Sequence, residues 1–332
     1  MVRKGSPVRV RKRALREDAP RVYVAFGERV EVPVSGSQLN DDGIRVMEDN
    51  AEATAAWDGP LFDVWLRFRS VIEASLRPLS EKAFEAHPPP VGGRCLDVGC
   101  GLGDTTFRLG ELVGQDGFAH GVDVAPRMIA AANDDLAGAA ATNVSFAIAD
   151  VETADLGGSY DYAFGRCGVM FFAHPVPAFR NICAHLVPGG EICLIVWRRK
   201  LDNEWVYRTE QVVERYLEHP EESDVPTCGP GPFAMANADT VTDQLRYGGF
   251  EKITLTRHDF DYRIGGGLEE AVELNMSLGP AAEVLRQWGD RIDEIRPTIE
   301  ADIRATLSEF VDDDGAVRAG GSIWIISARK PS

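Results

Sequence analysis

One stretch decides the fold: Arg94-Cys95-Leu96-Asp97-Val98-Gly99-Cys100-Gly101-Leu102-Gly103-Asp104-Thr105-Thr106. A short apolar run meets glycines at three alternate positions, and the residues that follow can open a helix. This pattern predicts a buried strand, a tight turn and a helix N-terminus. Glycines permit backbone conformations closed to other residues and the close approach of a ligand, and a helix N-terminus attracts negative charge. The stretch therefore indicates a site for a nucleoside-like ligand with an acidic part.

The spacing of the glycines bears on which ligand fits. Dinucleotide sites carry G-x-G-x-x-G, with the pyrophosphate on the helix end. Here the spacing is G-x-G-x-G, and Asp104 stands where that fingerprint has its third glycine. Asp97, just before the turn, would repel a pyrophosphate but attract an ammonium group. S-adenosylmethionine, which has an amino-acid moiety and no phosphate, therefore fits better than a dinucleotide; a simple structural turn is the alternative.

Four further apolar runs predict strands that follow in order along the chain. Asp123 ends the second predicted strand, near the place where an acidic residue binds a ribose in α/β nucleotide sites. Asp150 and Val151 follow the third, and a carboxylate beside an apolar residue suits the edge and face of an adenine. The four runs are Gly117–Val124, Val144–Ala149, Tyr160–Phe164 and Glu191–Trp197.

Taken together, the motifs resemble those of class I S-adenosylmethionine-dependent methyltransferases, over about residues 90–200. The resemblance is to the small-molecule branch, which includes quinone-biosynthesis and natural-product methyltransferases. It implies a Rossmann-like α/β fold: a seven-stranded, mostly parallel sheet with an antiparallel last strand, helices on both faces and a helical cap. The motifs are Leu96–Gly103, Gly121–Val124, Ala149–Val151, Asp161–Phe164 and Leu186–Gly190.

The resemblance also implies which residues bind the cofactor, S-adenosyl-L-methionine. Asp97, Gly99 and Gly101 would contact its methionine end. Asp123 would bind the ribose hydroxyls, and Asp150 with Val151 the adenine. The other cofactor contacts implied are Trp57, in an N-terminal lid, and Cys100, Val124, Met128 and Arg166.

Methyl transfer is an in-line displacement, in which positioning and exclusion of water supply much of the rate. A general base is needed only if the acceptor must lose a proton. The predicted catalytic residues are His174 and Arg166, with Cys167 nearby. His174 falls where relatives often have an acid before a proline, so a loop or capping role is the alternative. Many relatives carry histidines at the positions of Met170 and Phe171, and this chain does not.

Composition excludes several classes of protein. The 332 residues carry a net charge of −17, which disfavours a large nucleic-acid surface. No apolar run approaches the ~20 residues of a membrane helix, and no secretory signal follows the basic N-terminus. The six cysteines form no CxxC pair, so we expect no metal site and a cytoplasmic location. The sequence leaves a homodimer open.

Shifts in composition predict five segments. The first 46 residues form an N-terminal arm or extension that is partly disordered. We expect a chain that starts at Met47 to retain cofactor binding. The alternative is a hairpin at Val22 to Val34 that closes the site or pairs with another subunit. A polar linker is expected over Gly36 to Asp42. The remaining segments are a helical lid at 47–90, a cofactor-binding core at 91–200, a cap insertion at 201–237, and the rest of the core sheet at 238–332 with a helical cap insertion at about 265–318.

The sequence thus predicts an S-adenosylmethionine-dependent methyltransferase that acts on a small-molecule acceptor by O-, N- or C-methylation. A protein that binds S-adenosylmethionine or S-adenosylhomocysteine without transferring methyl is the alternative. An NAD-dependent oxidoreductase is less favoured, because Asp97 and Asp104 flank the glycine turn. The acceptor and the atom that is methylated are not specified by the sequence.

Overall fold

The computed structural model describes residues 37–39, 45–47, 51–216 and 230–332. Two short strands, β1 (Ser37–Leu39) and β2 (Arg45–Met47), pair antiparallel. The linker predicted at Gly36 to Asp42 therefore contains a strand, because its polar residues have β2 as a pairing partner. The hairpin predicted at Val22 to Val34 lies outside the described residues.

A seven-stranded sheet carries the rest of the fold. Its spatial order is 3-2-1-4-5-7-6 when its strands are numbered along the chain. The first five strands are parallel, and the last is antiparallel to both of its neighbours. The antiparallel insertion implied by the resemblance is confirmed. The strands are β3 (Arg94–Val98), β4 (Phe118–Asp123), β5 (Val144–Ile148), β6 (Tyr160–Arg166), β7 (Leu186–Trp197), β8 (Glu251–Gly265) and β9 (Val317–Arg329).

Helices pack around this sheet, and prolines mark where several of them begin. Pro60, Pro126, Pro175 and Pro280 each occupy the first turn of a helix, where a missing backbone N–H costs nothing. The helices are α1 (Ala51–Asp58), α2 (Pro60–Arg67), α3 (Arg69–Ala86), α4 (Asp104–Val113), α5 (Pro126–Gly138), α6 (Pro175–His185), α7 (Glu204–Val213), α8 (Ala238–Tyr247), α9 (Leu268–Ser277), α10 (Pro280–Trp288) and α11 (Arg296–Ser308).

The strand runs predicted from the sequence agree with these bounds. The helical insertion predicted at about 265–318 contains α9, α10, a short 3₁₀ turn and α11. The last strand then begins at Val317 and pairs with β8. No helix among the described residues is long and apolar enough to cross a bilayer.

The apolar side chains form two separate clusters. The main core fills the sheet and its flanking helices. It includes Ile72 and Leu79 of α3 and also Phe68, which directly precedes α3, and all three are buried. A smaller lid cluster consists of Phe62, Leu102, Ala125 and Met128, with Trp57, Trp65 and Ala131 packed against it. Within the predicted lid at 47–90, only α1 and α2 contribute residues to the lid cluster. We therefore call α1 and α2 the lid.

Candidate active site

The carboxyl ends of the central parallel strands bring the predicted residues to one edge of the sheet. Asp97 lies next to the end of β3, Asp123 ends β4, Asp150 follows β5 and Arg166 ends β6. Ligands of open α/β sheets bind outside this edge, where the strand order reverses. In this sheet the reversal falls between β3 and β6.

The glycine loop contains two glycines that are required for different reasons. At Gly99, with φ +68°, an added Cβ would lie 2.9 Å from the Cα of Gly168, so the loops after β3 and β6 touch. At Gly101, with φ +53°, an added Cβ would meet no atom within 4 Å. Protein packing thus explains Gly99, whereas Gly101 borders open space that a ligand can occupy.

Asp97 is a buried carboxylate with one oxygen unused. Its Oδ2 accepts hydrogen bonds of 2.7 Å from the hydroxyls of Thr105 and Thr106. Its Oδ1 is buried without a hydrogen-bond partner among the described residues. Burial raises the pKa of Asp97 to about 6, although the two threonines and Arg166 act to lower it. A buried acceptor without a partner is costly, and an ammonium group would satisfy it.

Asp123 ties the glycine loop to α5. Its Oδ2 accepts a 2.9 Å hydrogen bond from the backbone N–H of Gly101, and its Oδ1 a 3.0 Å bond from that of Ala125. Burial raises the pKa of Asp123, and the nearby Asp58 adds to the effect. Each carboxylate oxygen can accept a further bond, so ribose hydroxyls remain compatible with these contacts. Val124 follows directly at the same edge.

The predicted adenine residues lie in the turn after β5. Asp150 and Val151 are both buried, and Asp150 Oδ1 accepts a 2.9 Å hydrogen bond from the backbone N–H of Glu152. Met128 is also buried, on the neighbouring helix α5. The carboxylate is thus held in place by its own turn.

His174 is fixed by Glu152. The carboxylate of Glu152 accepts a 3.0 Å bond from the backbone N–H of His174, and its other oxygen lies 3.0 Å from the ring Nδ1. His174 directly precedes α6. These contacts favour the loop role over the catalytic one, and a catalytic role for His174 stays a prediction.

Arg166 is buried and paired with Asp104. Its Nη2 lies 2.8 and 3.0 Å from the two Asp104 oxygens, and its Nη1 donates a 3.1 Å bond to the hydroxyl of Ser80. A guanidinium stays protonated in proteins, so Arg166 cannot act as a general base. The pairing also partly neutralises Asp104. A pyrophosphate is therefore disfavoured by Asp97 and by the glycine spacing, and less by Asp104. A cavity of about 340 Å³ between α3 and α4 reaches this pair.

Cys167 has an unusual backbone conformation. It is one of two residues other than glycine with positive φ in the described part of the chain, at +63°, and such strain collects at functional sites. Burial raises the pKa of its thiol to about 12. Cys167 is therefore a neutral thiol at physiological pH and a poor general base.

Trp57 joins the lid to the loop after β6. Its ring centre lies 5.5 Å from that of Trp65 and 5.2 Å from that of Phe171, both edge to face. No local motif in the sequence indicates Ser80, Asp58 or Arg127, because the hydrogen bonds that connect them to the site join residues 69 and 86 positions apart.

Comparisons with known proteins find similarity to methyltransferases. A family model described as a methyltransferase domain matches residues 91–224. Aklanonic acid methyltransferase DauC of Streptomyces sp. (strain C5) is 34% identical over 116 residues, which cover 35% of this chain and 53% of that protein. Demethylmenaquinone methyltransferase of Shouchella clausii is 31% identical over 105 residues, 31% of this chain and 45% of that protein. The chain thus matches about half the length of these two relatives.

Solved structures with a related arrangement include the YcgJ protein of Bacillus subtilis. It has a TM-score of 0.49 and 16% identity, and the match covers 76% of this chain and 98% of that one. Phosphoethanolamine N-methyltransferase 2 of Haemonchus contortus, in complex with S-adenosyl-L-methionine, has a TM-score of 0.47 and 15% identity, covering 87% and 62% of the two chains.

The two glycines give a matched pair of variants. We expect Gly101→Ala to lower the free energy of unfolding by only about 1 to 2 kcal/mol, the cost of a left-handed conformation with a Cβ, and to abolish ligand binding at the loop. Gly99→Ala adds a clash with Gly168 and should cost about 3 kcal/mol or more. Urea unfolding and calorimetric titration measure the two effects. Equal stability losses in both variants would contradict this assignment.

The raised pKa of Asp97 predicts a pH dependence of stability. Because the folded-state pKa lies near 6 and the reference value is 3.8, the folded state binds more protons between these values. The contribution of Asp97 is therefore most favourable below about pH 4 and is lost as the pH rises through 6. We expect Asp97→Asn to gain about 3 kcal/mol relative to the wild type between pH 3 and pH 7, at ~1.36 kcal/mol per pKa unit. A pH-independent difference in urea unfolding would show that Asp97 has an ordinary pKa.

Proposed function

We propose that this chain, which carries a methyltransferase domain over residues 91–224, transfers the methyl group of S-adenosylmethionine to a small-molecule acceptor. The observation that carries the proposal is the pairing of the buried, half-satisfied carboxylate of Asp97 with the open space at Gly101. A ligand that lies close to the loop backbone would occupy the space at Gly101, and its cationic amino group would pair with Asp97. A dinucleotide would bring a pyrophosphate toward a carboxylate instead.

The remaining cofactor contacts follow from the arrangement at the sheet edge. Asp123 would bind the ribose hydroxyls while it holds the glycine loop. Asp150 and Val151 would meet the adenine, with Met128 packing on the same side, and Trp57 would exclude water from the lid side. Cys100 lies within the loop, and its backbone N–H donates to the carbonyl oxygen of Val122.

The chemistry asked of the protein is mainly positioning. S-adenosylmethionine supplies an already activated methyl group on a sulfonium. Arg166 and Asp104 hold the end of β6 to the start of α4, and so fix the two loops between which the reacting groups would lie. Of the three candidates for a base, Arg166 stays charged and Cys167 stays a thiol, whereas an imidazole ring can accept a proton on a nitrogen. If the acceptor must lose a proton, His174 is the candidate to receive it.

The acceptor is proposed to be a small organic molecule. The relatives quoted above are named for aklanonic acid and demethylmenaquinone, which supports this class without selecting a member. We also keep the cytoplasmic location as a proposal, because the cysteine pattern gives no disulfide framework.

A ligand comparison tests the proposal. S-adenosylhomocysteine should raise the midpoint of thermal unfolding, since it binds the native state, and NAD should not. Asp123→Ala should weaken binding by about 1.5–3 kcal/mol, the range for hydrogen bonds to a charged group. Asp155→Ala is the control: its carboxylate also accepts a backbone N–H, but its side chain is 89% exposed. A midpoint raised by NAD and not by S-adenosylhomocysteine would refute the proposed cofactor.

Turnover is a separate outcome. Incubation with S-adenosylmethionine labelled in the methyl group and with small molecules that copurify with the protein, followed by mass spectrometry, should yield a labelled product. Binding of S-adenosylhomocysteine without any labelled product would favour the non-catalytic binding protein.

A further inference from the structure

The lid contacts α5 through a polar bond that crosses a long stretch of sequence. Asp58 ends α1, and its Oδ1 accepts a 2.7 Å hydrogen bond from the backbone N–H of Arg127, 69 positions further along. Arg127 lies in the first turn of α5, and Ala125, which precedes the helix, has no side chain that can cap it. The first N–H groups of a helix need acceptors from outside. A residue of the lid therefore caps α5.

The side chain of Arg127 holds the lid as well. Its Nη2 donates a 2.6 Å bond to the carboxylate of Asp63 in α2, and its Nη1 a 3.2 Å bond to the carbonyl oxygen of Asp58. The guanidinium carbon lies 4.0 Å from the centre of the Phe62 ring, close enough for a cation–π contact. A single arginine thus contacts both lid helices. We call Arg127, Asp58 and Asp63 the lid latch.

A second ion pair holds α2 to another helix. Arg67 Nη2 lies 2.7 Å from the carboxylate of Glu273 in α9. Asp63 and Arg67 are four residues apart and lie close together on the helix surface. The helix is therefore held between α5, which follows the glycine-loop region, and α9 of the C-terminal helices.

The latch adjoins two residues assigned to the cofactor. Arg127 lies four residues after Asp123. Asp58 is close enough to Asp123 to raise the pKa of its carboxyl group. Trp57 directly precedes Asp58 and packs against Phe171. Fixing Asp58 on α5 therefore also fixes Trp57 against the loop after β6.

We propose that Arg127 is a positioning residue that holds the lid closed through Asp58 and Asp63, and that release of these contacts limits how fast the cofactor product leaves. The inference rests on the proposed function, since it takes S-adenosylhomocysteine as the departing ligand. Opening the lid would expose the lid cluster and would also separate Val64 and Trp65 of α2 from the main core, against which both pack. The sheet and α3 have their own buried core.

The ion pair of the latch is exposed. Arg127 and Asp63 are 44% and 66% exposed, and exposed ion pairs contribute little to stability. Their attraction is also screened by salt. The cap on α5 and the contact with Phe62 add to it.

The test measures dissociation of S-adenosylhomocysteine by a stopped-flow chase. Arg127→Ala should raise the dissociation rate about tenfold, while the association rate changes less than threefold. Arg127→Lys keeps the charge but not the forked contacts and should give an intermediate rate. Raising the salt concentration should accelerate dissociation from the wild type and have little effect on Arg127→Ala, which a purely structural role would not produce.

Arg304→Ala is the matched control. Arg304 forms exposed ion pairs with Glu269 and Glu300 among the C-terminal helices, so its loss removes comparable ion pairs without touching Asp58 or Asp63. It should leave the dissociation rate unchanged. Asp63→Ala should raise the rate in the wild type but not further in Arg127→Ala, because both changes remove the same ion pair.

The outcomes separate the two proposals. If the wild type does not bind S-adenosylhomocysteine, the proposed function fails. If it binds but Arg127→Ala and Arg304→Ala dissociate at the wild-type rate, the latch is overturned while the proposed function stands. A change confined to the association rate also overturns the latch.

Discussion

The structure depends on one buried carboxylate at the end of the first central strand. Asp97 accepts hydrogen bonds from two adjacent hydroxyls, those of Thr105 and Thr106, at the start of α4. These bonds fix the strand, the glycine loop and the helix relative to one another within a few residues. Because the loop is held in this way, Gly101 is left facing open space and Gly99 is brought against Gly168. The geometry of the proposed cofactor site follows from that single anchored side chain.

The same carboxylate illustrates how fold and function conflict locally. Burial of Asp97 raises its pKa and leaves one oxygen unpaired, which costs stability in the ligand-free protein. Arg166 offsets part of the negative charge while pairing with Asp104. The unpaired oxygen lies at a place where a cationic group would remove this cost. A carboxylate with both oxygens hydrogen-bonded would stabilise the fold more, but it would leave no free acceptor for a cofactor.

The sequence predicted the sheet well, and it indicated which residues lie at the carboxyl edge of that sheet, because both rest on short-range patterns. The apolar runs and the glycine spacing placed β3 to β7. The contacts between distant segments were not predictable. The pairing of Arg166 with Asp104 and Ser80, and that of Asp58 with Arg127, depend on how helices dock, which no local periodicity records. The strand at Ser37–Leu39 was missed because its polar sequence carries no alternating pattern.

The position of the last strand has a consequence for how the chain folds during synthesis. β9 lies between β7 and β8 and pairs with β7 from Glu191↔Arg329 to Trp197↔Ile323. When residues 91–265 have left the ribosome, β7 therefore still has a bare edge, and β8 has no neighbour in the sheet. Such contacts between distant parts of a sequence form slowly, and exposed strand edges favour aggregation. Until residues 317–329 emerge, the nascent chain carries the proposed cofactor edge on an incomplete sheet.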